Sequence, residues 1–378
     1  MSRYRTSQPA SRPRRWRPDV ALCFGTRPQV VKVARLLPAL QQELSVFTVD
    51  TGQHYDDALR GALYRDLGLA APDALLGVGP GHPMEQAARM AAATTQVLAR
   101  VRPRMVVVVG DTNSTLACAL AASQLGIPVV HVEAGLRSGD PAMAEERNRC
   151  IVDHVSALLC APSRRAADTL TREGVAGQVV VTGDVARDVL EASVARLGAP
   201  RARSPFVLST LHRAELTDAP DRLVKVIAAL GRQELPVLLP LHPRTRAALD
   251  AMDSPLSWPQ NVTVTPPLEY SRMLMAIRDA RVVVTDSGGV QREAYWLGTP
   301  CVTVRAVTEW VETVELGANR LVAPTDLATL TDAIHDARHA PRTWSRDAYG
   351  QGDAGARIAA AIGAMLPARR RATALPVG

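Results

Sequence analysis

Short runs rich in valine alternate with longer segments of helical periodicity along most of this 378-residue chain. Continuous apolar runs of this kind are typical of strands in a parallel sheet that helices cover on both faces. Six candidate strands precede residue 197: Val20–Phe24, Val46–Val49, Met105–Val109, Val129–Val132, Ala157–Cys160 and Val179–Val181. Five more follow residue 205: Phe206–Ser209, Val237–Leu239, Val262–Val264, Val282–Val284 and Cys301–Val304. The pattern predicts an α/β protein with two doubly wound domains that face each other across a cleft.

The two sets of strands are separated by a segment rich in Pro, Gly and Arg at residues 197–205, which is typical of an interdomain linker. We therefore expect an N-terminal domain at residues 19–196 and a C-terminal domain at residues 197–365. Residues 1–18 and 366–378 together contain nine arginines and no acidic residue, and we expect both to be flexible tails.

The formal net charge of +7 belongs to those tails, because residues 19–365 carry a net charge of −2. A folded body this close to neutral argues against nucleic-acid binding as the main function. The five cysteines are scattered without metal-ligand spacing, so a reducing, cytoplasmic setting and no bound metal are expected. No apolar run approaches the length of a membrane span, and the N-terminus lacks the apolar stretch of a signal peptide.

A glycine turn, Ser287-Gly288-Gly289, follows the strand candidate Val282–Val284 and opens a helix. Backbone N–H groups at such a turn, together with the helix dipole, favour an anion. Glu293 lies in the first turns of the same helix, close enough to meet a sugar that the anion carries. A plain strand–turn–helix connection, with glycine chosen for backbone freedom, is the alternative.

Cationic side chains also follow predicted strands, at the sheet edge where ligands bind in open α/β folds. Arg27 and Lys32 flank the start of the first helix and could bind a diphosphate, or could simply cap a loop and face solvent. His212 and Arg213 follow the first strand of the second set and could contact a phosphate or leaving group. A structural role is the alternative for the histidine.

Three carboxylates are candidates for proton transfer. Asp111 follows a strand of four valines, although a helix N-cap would also explain it. Glu133 ends a buried strand, where loss of solvent can raise its pKa. Glu145 opens a helix, where an acid commonly interacts with the dipole. Together the three would suit removal and replacement of a proton on carbon.

Seven motifs resemble, in order, those of the non-hydrolysing UDP-N-acetylglucosamine 2-epimerases. They are Gly25–Lys32, Thr51–His54, Gly110–Thr115, His131–Ser138, Glu145–Arg149, Leu211–Glu215 and Thr285–Ala294. The resemblance implies two Rossmann-like domains of glycosyltransferase-B type, a homodimer, and no nicotinamide or metal cofactor. Four further segments look closest to a subgroup that includes UDP-2,3-diacetamido-2,3-dideoxyglucuronate 2-epimerases: Gln29, Tyr55–Asp56, Gly183–Val185 and Thr308–Glu312.

The resemblance also implies a mechanism and residue roles. UDP would be eliminated across C1–C2 to give a 2-acetamidoglucal, and would then add back with the proton on the other face. Asp111, Glu133, Glu145 and His212 would be catalytic. The departing diphosphate would be stabilised by Arg27, Lys32, His212, Arg213, Ser287, Gly288 and Gly289, and Glu293 would bind the uridine ribose. The expected substrate is a UDP-sugar, with interconversion of UDP-N-acetylglucosamine and UDP-N-acetylmannosamine as the leading reaction.

The chain departs from the family pattern at several positions. Ala144 stands where many members have Pro, Leu216 where Asn is common, and Trp310 where the bacterial enzymes have an Arg directed toward the nucleotide. Tyr55 and Asp56 differ from the run that helps form an allosteric substrate site, which predicts loss of substrate activation. A 2,3-diacetamidoglucuronate substrate, a hydrolysing reaction and a diverged glycosyltransferase remain alternatives.

Overall fold

A computed structural model describes residues 17–53, 57–198, 205–252 and 256–366. The chain divides into two compact units. Unit 1 runs to Leu136 and also includes Pro141–Val189 and the segment from Tyr349 onward, and unit 2 consists of Arg137–Asp140 and Leu190–Ala348. His54, Tyr55 and Asp56, most of both predicted tails, and residues 199–204 of the predicted linker lie outside the described residues.

Unit 1 contains a parallel sheet whose described strands follow the order β3-β2-β1-β4-β5-β6-β7. The strands are β1 (Val20–Phe24), β2 (Val46–Asp50), β3 (Ala74–Leu75), β4 (Met105–Val109), β5 (Val129–Val132), β6 (Leu158–Ala161) and β7 (Gln178–Val181). The helices are α1 (Arg27–Gln41), α2 (Asp57–Asp66), α3 (Pro83–Val101), α4 (Asn113–Gln124), α5 (Ala144–Val155), α6 (Arg164–Arg172) and α7 (Val185–Val194). The last residues of α7 belong to unit 2. A further helix of unit 1, α15 (Ala354–Met365), comes much later in the chain.

Unit 2 contains a second parallel sheet, in which the described strands follow the order β10-β9-β8-β11-β12-β13. The strands are β8 (Val207–Thr210), β9 (Val237–Pro240), β10 (Val262–Thr265), β11 (Val282–Thr285), β12 (Cys301–Thr303) and β13 (Asn319–Leu321). The helices are α8 (Ala214–Thr217), α9 (Pro220–Gly231), α10 (Pro243–Asp250), α11 (Tyr270–Asp279), α12 (Gly288–Leu297), α13 (Val311–Glu315) and α14 (Leu330–His339), with a 3₁₀ turn at Leu327–Thr329.

Each sheet reverses its strand order once, between β1 and β4 in unit 1 and between β8 and β11 in unit 2. Such a reversal is the point where open α/β sheets bind ligands, outside the carboxyl ends of the strands. Arg27 follows β1 and Asp111 follows β4, while His212 follows β8 and Ser287 follows β11. Both units therefore place predicted site residues at their reversal points.

The eleven predicted strands are present, with ends that differ by one residue at most. Two edge strands were not predicted. β3 has only two residues, and β13 has three, of which Asn319 and Arg320 are polar, so neither produces an apolar run. Their positions at the sheet edges come from pairing with β2 and β12.

Apolar residues pack on both faces of each sheet. In unit 1, α1 and α15 pack on one face, and α3 and α4 pack on the other. In unit 2, α9 and α14 cover one face, and α11 and α12 the other. The predicted boundaries differ from this division, because they assigned residues 349–365 to the C-terminal domain, whereas Ile358 and Ile362 of α15 belong to the core of unit 1.

Candidate active site

The turn between β1 and α1 is built around the buried side chain of Gln29. Its Oε1 accepts hydrogen bonds from the backbone N–H groups of Gly25 and Thr26, at 2.9 and 3.0 Å. Its Nε2 donates to the carbonyl oxygen of Val109 at 2.7 Å, which joins the start of α1 to the end of β4. A Cβ on Gly25 would lie 1.8 Å from Oγ1 of Thr51, so only glycine fits there.

Lys32 and Glu133 form an ion pair in unit 1, with Lys32 Nζ 2.7 Å from both carboxylate oxygens of Glu133. Both side chains are largely buried, at 13% and 6% exposed. Glu133 has a φ of +72°, a left-handed conformation that is rare for a residue other than glycine and is concentrated at functional sites. The ion pair gives Glu133 a cationic partner that the sequence did not indicate. Arg27 lies at the first position of α1 and is exposed.

Asp111 is held by two residues of α5. Arg149 Nη2 donates to Asp111 Oδ2 at 2.5 Å, and the side-chain amide of Asn148 donates to the Asp111 carbonyl oxygen at 2.9 Å. The N-cap of α4 is Thr112, whose hydroxyl accepts the capping hydrogen bond, so the N-cap alternative for Asp111 is wrong. Arg149 is buried and also donates to Glu146. Asp111 is 28% exposed, so its carboxylate remains accessible beside its cation.

Glu145 lies in the first turn of α5 and is exposed. In the described part of the chain, its side chain forms no hydrogen bond or ion pair with another residue. The neighbouring Glu146 is the acid that contacts Arg149. The structure thus brings Asp111 and Glu133 into networks of cations at neighbouring strand ends, and leaves Glu145 outside those networks. Its catalytic role stays a prediction.

In unit 2, the buried carboxylate of Asp286 organises the loop that carries His212 and Arg213. Asp286 Oδ2 accepts hydrogen bonds from both backbone N–H groups at 2.8 Å, and Oδ1 lies 3.3 Å from Nδ1 of His212. Burial lowers the pKa of His212, with Arg213 and Arg244 adding to the effect and Asp286 opposing it. The ring is 36% exposed, so His212 offers a neutral imidazole at neutral pH to a ligand at this sheet edge.

The predicted glycine turn forms the start of α12, with Ser287 as its N-cap. The first helical hydrogen bond runs from Gln291 N–H to the Ser287 carbonyl oxygen, so the N–H groups of Gly288 and Gly289 precede the helical ladder. A Cβ on Gly288 would lie 2.8 Å from Oε1 of Glu309 and 3.0 Å from Nε1 of Trp310. A Cβ on Gly289 would have only Ser287 Oγ nearby, at 3.8 Å. The two glycines therefore differ sharply in their steric surroundings.

The side chains behind Gly288 form a buried polar cluster. Arg305 is 1% exposed and donates from Nη1 to Oε2 of Glu309 at 2.9 Å. Trp310 is also buried, and the guanidinium carbon of Arg292 lies 3.9 Å from its ring centroid. At this distance the cation interacts with the π face of the indole. A guanidinium group therefore packs against the indole of Trp310.

Glu293 is half-buried on α12, one turn beyond the glycine turn. Burial raises the pKa of Glu293 to about 7, while Arg292 and a hydrogen bond with Tyr270 oppose the increase. A carboxyl group with this pKa changes charge near neutral pH. Its affinity for a hydroxyl donor should therefore depend on pH.

No group of three or more His, Cys, Asp or Glu side chains in the described residues could hold a metal ion. The expectation of a metal-free enzyme stays a prediction. No helix within the described ranges has the combined length and hydropathy that crossing a bilayer would require.

Comparison with known proteins identifies the family. Residues 38–363 match the family described as UDP-N-acetylglucosamine 2-epimerase. The chain belongs to this family. The UDP-2,3-diacetamido-2,3-dideoxy-D-glucuronate 2-epimerase of Pseudomonas aeruginosa is 42% identical over 355 residues, which covers 89% of this chain and 97% of that protein. The family resemblance seen in the sequence is thereby confirmed. The prediction of an isomerase of the UDP-sugar 2-epimerase class is also confirmed.

Solved structures agree with the fold of this epimerase-family chain. The crystal structure of the Methanocaldococcus jannaschii UDP-GlcNAc 2-epimerase, in complex with UDP-GlcNAc and UDP, has a TM-score of 0.82 and 34% sequence identity. The match covers 91% of this chain and 99% of that one. The glycotransferase of kitacinnamycin, at 14% identity and a TM-score of 0.58, shares the fold alone, with 93% of this chain and 100% of that chain covered. The predicted two-domain, Rossmann-like architecture of glycosyltransferase-B type is confirmed.

Several site residues were not assigned from the sequence, although some left a signal there. Gln29 follows Thr26 at the spacing of a capping box, and Asp286 immediately precedes the glycine turn. Arg149 follows Glu146 by three residues, which places the two on one helix face. Arg305 left no such signal, because its partner Glu309 becomes a neighbour only in the folded loop.

Proposed function

We propose that this chain interconverts UDP-N-acetylglucosamine and UDP-N-acetylmannosamine without hydrolysis. The observation that supports this reaction best is the pair of carboxylates at the neighbouring ends of β4 and β5, each beside its own cation. Asp111 is paired with Arg149 and Glu133 with Lys32. A carboxylate at either position can serve as a proton acceptor in its ionised form.

The chemistry requires such groups because no carbonyl acidifies the hydrogen on C2 of the sugar. In the proposed route a carboxylate removes that proton as UDP leaves C1, which gives a 2-acetamidoglucal. UDP then adds back to C1 while a proton reaches C2 from the opposite face. Asp111, Glu133 and Glu145 are the acid and base candidates. Because Lys32 is bound to Glu133, we assign Lys32 first to holding that carboxylate and only second to the diphosphate.

Unit 2 has the features needed to hold UDP both as leaving group and as returning nucleophile. The N–H groups of Gly288 and Gly289 at the start of α12 would contact the diphosphate, together with Ser287, His212 and Arg213. In unit 1, Arg27 is the residue that the family resemblance assigns to the diphosphate. Glu293 would accept a hydrogen bond from the uridine ribose. No cofactor is needed for this route.

A second substrate, UDP-2,3-diacetamido-2,3-dideoxyglucuronate, has specific support. The Pseudomonas aeruginosa 2-epimerase of that name is 42% identical to this chain, compared with 34% for the Methanocaldococcus jannaschii UDP-N-acetylglucosamine 2-epimerase. The two substrates differ at C3 and C6 of the sugar and share UDP and the C2 centre. The same carboxylates and the same glycine turn would therefore serve either one.

The proposal also includes a homodimer in the cytoplasm, in keeping with the family resemblance. Nucleic-acid partners are not expected, because the folded body is close to neutral.

The test is incubation with UDP-N-acetylglucosamine in heavy water, followed by NMR, with Asp111→Asn as the matched inactive control. The manno epimer should appear with deuterium at C2, and the control should form none. Free N-acetylmannosamine plus UDP would show a hydrolysing enzyme instead. Turnover of the diacetamidoglucuronate alone would select the second substrate, and inertness toward both would overturn the proposal.

A further inference from the structure

His131, in the middle of β5, is completely buried and has a polar partner at both ring nitrogens. Nε2 lies 2.8 Å from the carbonyl oxygen of Gly110, and Nδ1 lies 2.6 Å from Oδ1 of Asp153, which is also completely buried. A polar side chain in a strand core is costly unless it is fully hydrogen-bonded. Neither side chain reaches solvent, so neither can contact the substrate.

The hydrogen-bonding chemistry constrains the protons on this ring. A carbonyl oxygen only accepts, so Nε2 must carry a proton and donate it to Gly110. Nδ1, the other ring nitrogen, lies within hydrogen-bond distance of Oδ1 of Asp153. His131 and Asp153 thus form a hydrogen-bonded link. At its Gly110 end, the donor is the Nε2–H group of His131.

Asp153 extends the link to a second turn. Its other oxygen, Oδ2, accepts a hydrogen bond from the backbone N–H of Gly135 at 3.2 Å. A continuous chain of hydrogen bonds therefore joins Gly110 to Gly135. Gly110 immediately precedes Asp111, and Gly135 follows Glu133 by two residues. These hydrogen bonds therefore connect the turn that carries Asp111 to the turn that carries Glu133.

The same helix supports both ends of this arrangement. Asp153 lies four residues after Arg149 on α5, and four residues in a helix place two side chains on one face. Arg149 holds the side chain of Asp111, while Asp153 holds the turns through His131 and Gly135. Movement of α5 would therefore shift both carboxylates together.

We propose that His131 and Asp153 act as a positioning pair that sets the separation and orientation of Asp111 and Glu133, a role that rests on the proposed epimerase function. Proton removal from one face and delivery to the other requires both groups at fixed distances from C2. Misplacement by about 1 Å can reduce a rate by about 10²-fold. The pair would act on kcat and leave nucleotide binding by unit 2 unchanged.

Two substitutions at one position separate positioning from charge. In Asp153→Asn the amide group can donate to Nδ1 and accept from Gly135, so each hydrogen bond survives while the carboxylate is lost. In Asp153→Ala both bonds are lost. We expect kcat to fall by about 10²-fold in Asp153→Ala and to recover to within about threefold of wild type in Asp153→Asn. KM and the Kd for UDP should change by less than about threefold in both variants.

Equal loss of kcat in the two variants, or no loss in Asp153→Ala, would overturn the proposal. A parallel loss of UDP binding would also overturn it, because that result indicates general unfolding. A readout that needs no turnover keeps the test separate from the proposed function. Hydrogen exchange at the Gly135 amide should accelerate in Asp153→Ala and not in Asp153→Asn, and ¹⁵N NMR of His131 at neutral pH should show a proton on Nε2. An unprotonated Nε2, or unchanged exchange, would refute the link even in a protein inactive toward every UDP-sugar tried.

Discussion

Lys32 Nζ lies 2.7 Å from the carboxylate of Glu133, in a pair that joins α1 to the end of β5. Glu133 adopts a left-handed backbone conformation at this point, which an ordinary strand end does not require. The ion pair gives this largely buried carboxylate a cationic partner. It therefore connects a left-handed backbone position to one of the carboxylates proposed for proton transfer.

Removal of Lys32 should destabilise the protein, because the buried Glu133 carboxylate then lacks its cation. We expect Lys32→Met to lower the free energy of unfolding by about 3 kcal/mol, because it leaves Glu133 charged and without its cation. The double variant Lys32→Met, Glu133→Gln should regain most of that loss. Denaturant unfolding of the two single variants and the double variant measures the coupling. Strictly additive effects would contradict a stabilising pair.

Asp111→Asn should reduce kcat by about 10² to 10⁴-fold while folding and UDP binding survive, because the amide cannot accept the proton. Steady-state kinetics and calorimetric UDP titration provide the two measurements. Asp336→Asn is the control, since Asp336 is 62% exposed and forms a surface ion pair with Arg320. Near-normal turnover of Asp111→Asn would remove Asp111 from the mechanism.

The two glycines of the α12 turn should respond differently to alanine. Gly288→Ala would place a Cβ 2.8 Å from Oε1 of Glu309, a side chain that Arg305 holds in place. Overpacking of this kind costs about 1–3 kcal/mol, and the displaced turn should weaken UDP binding by about tenfold. Gly289→Ala is the matched control, because its nearest atom would be 3.8 Å away. A UDP affinity of Gly288→Ala equal to that of wild type would contradict a role of this turn in nucleotide binding.

Glu293 should make both stability and nucleotide affinity depend on pH. Its pKa is about 7 in the folded protein, compared with an ordinary value of 4.5, so the folded state binds more protons between these values. Protonated Glu293 therefore stabilises the folded state. This contribution to the free energy of unfolding is complete below a pH of 4.5 and is lost as the pH rises through about 7. A ribose hydroxyl donates to the ionised form, so UDP binding should strengthen by about tenfold from about pH 6 to about pH 8.

The comparison with Glu293→Gln isolates this residue from other titrating groups, including His212 and the phosphates. Calorimetric UDP titrations at several pH values should show the additional tenfold change in wild type alone. A pH profile that is identical in the two proteins would exclude Glu293 as the ribose ligand.

Much of this site was predictable because it depends on local sequence. A strand followed by Ser287-Gly288-Gly289 indicates a helix start, and Asp111 and Glu133 lie within two residues of the ends of valine-rich strands. The partners that control these residues come from far along the chain. Arg149 reaches Asp111 across 38 residues, and Asp286 reaches the His212 backbone across 74. Such pairings arise from the order of strands in the sheet, which apolar periodicity does not encode.

The packing of α15 on α1 has a consequence for biosynthesis. Residues 354–365 contribute to the core of unit 1, although that unit begins with the first strand of the chain. During translation the core that contains β1 stays incomplete until these last helical residues have left the ribosome, by which time the whole of unit 2 has been synthesised. Until then, apolar residues of the nascent N-terminal half remain uncovered. A premature stop just before residue 354 would leave them permanently accessible to proteases and chaperones.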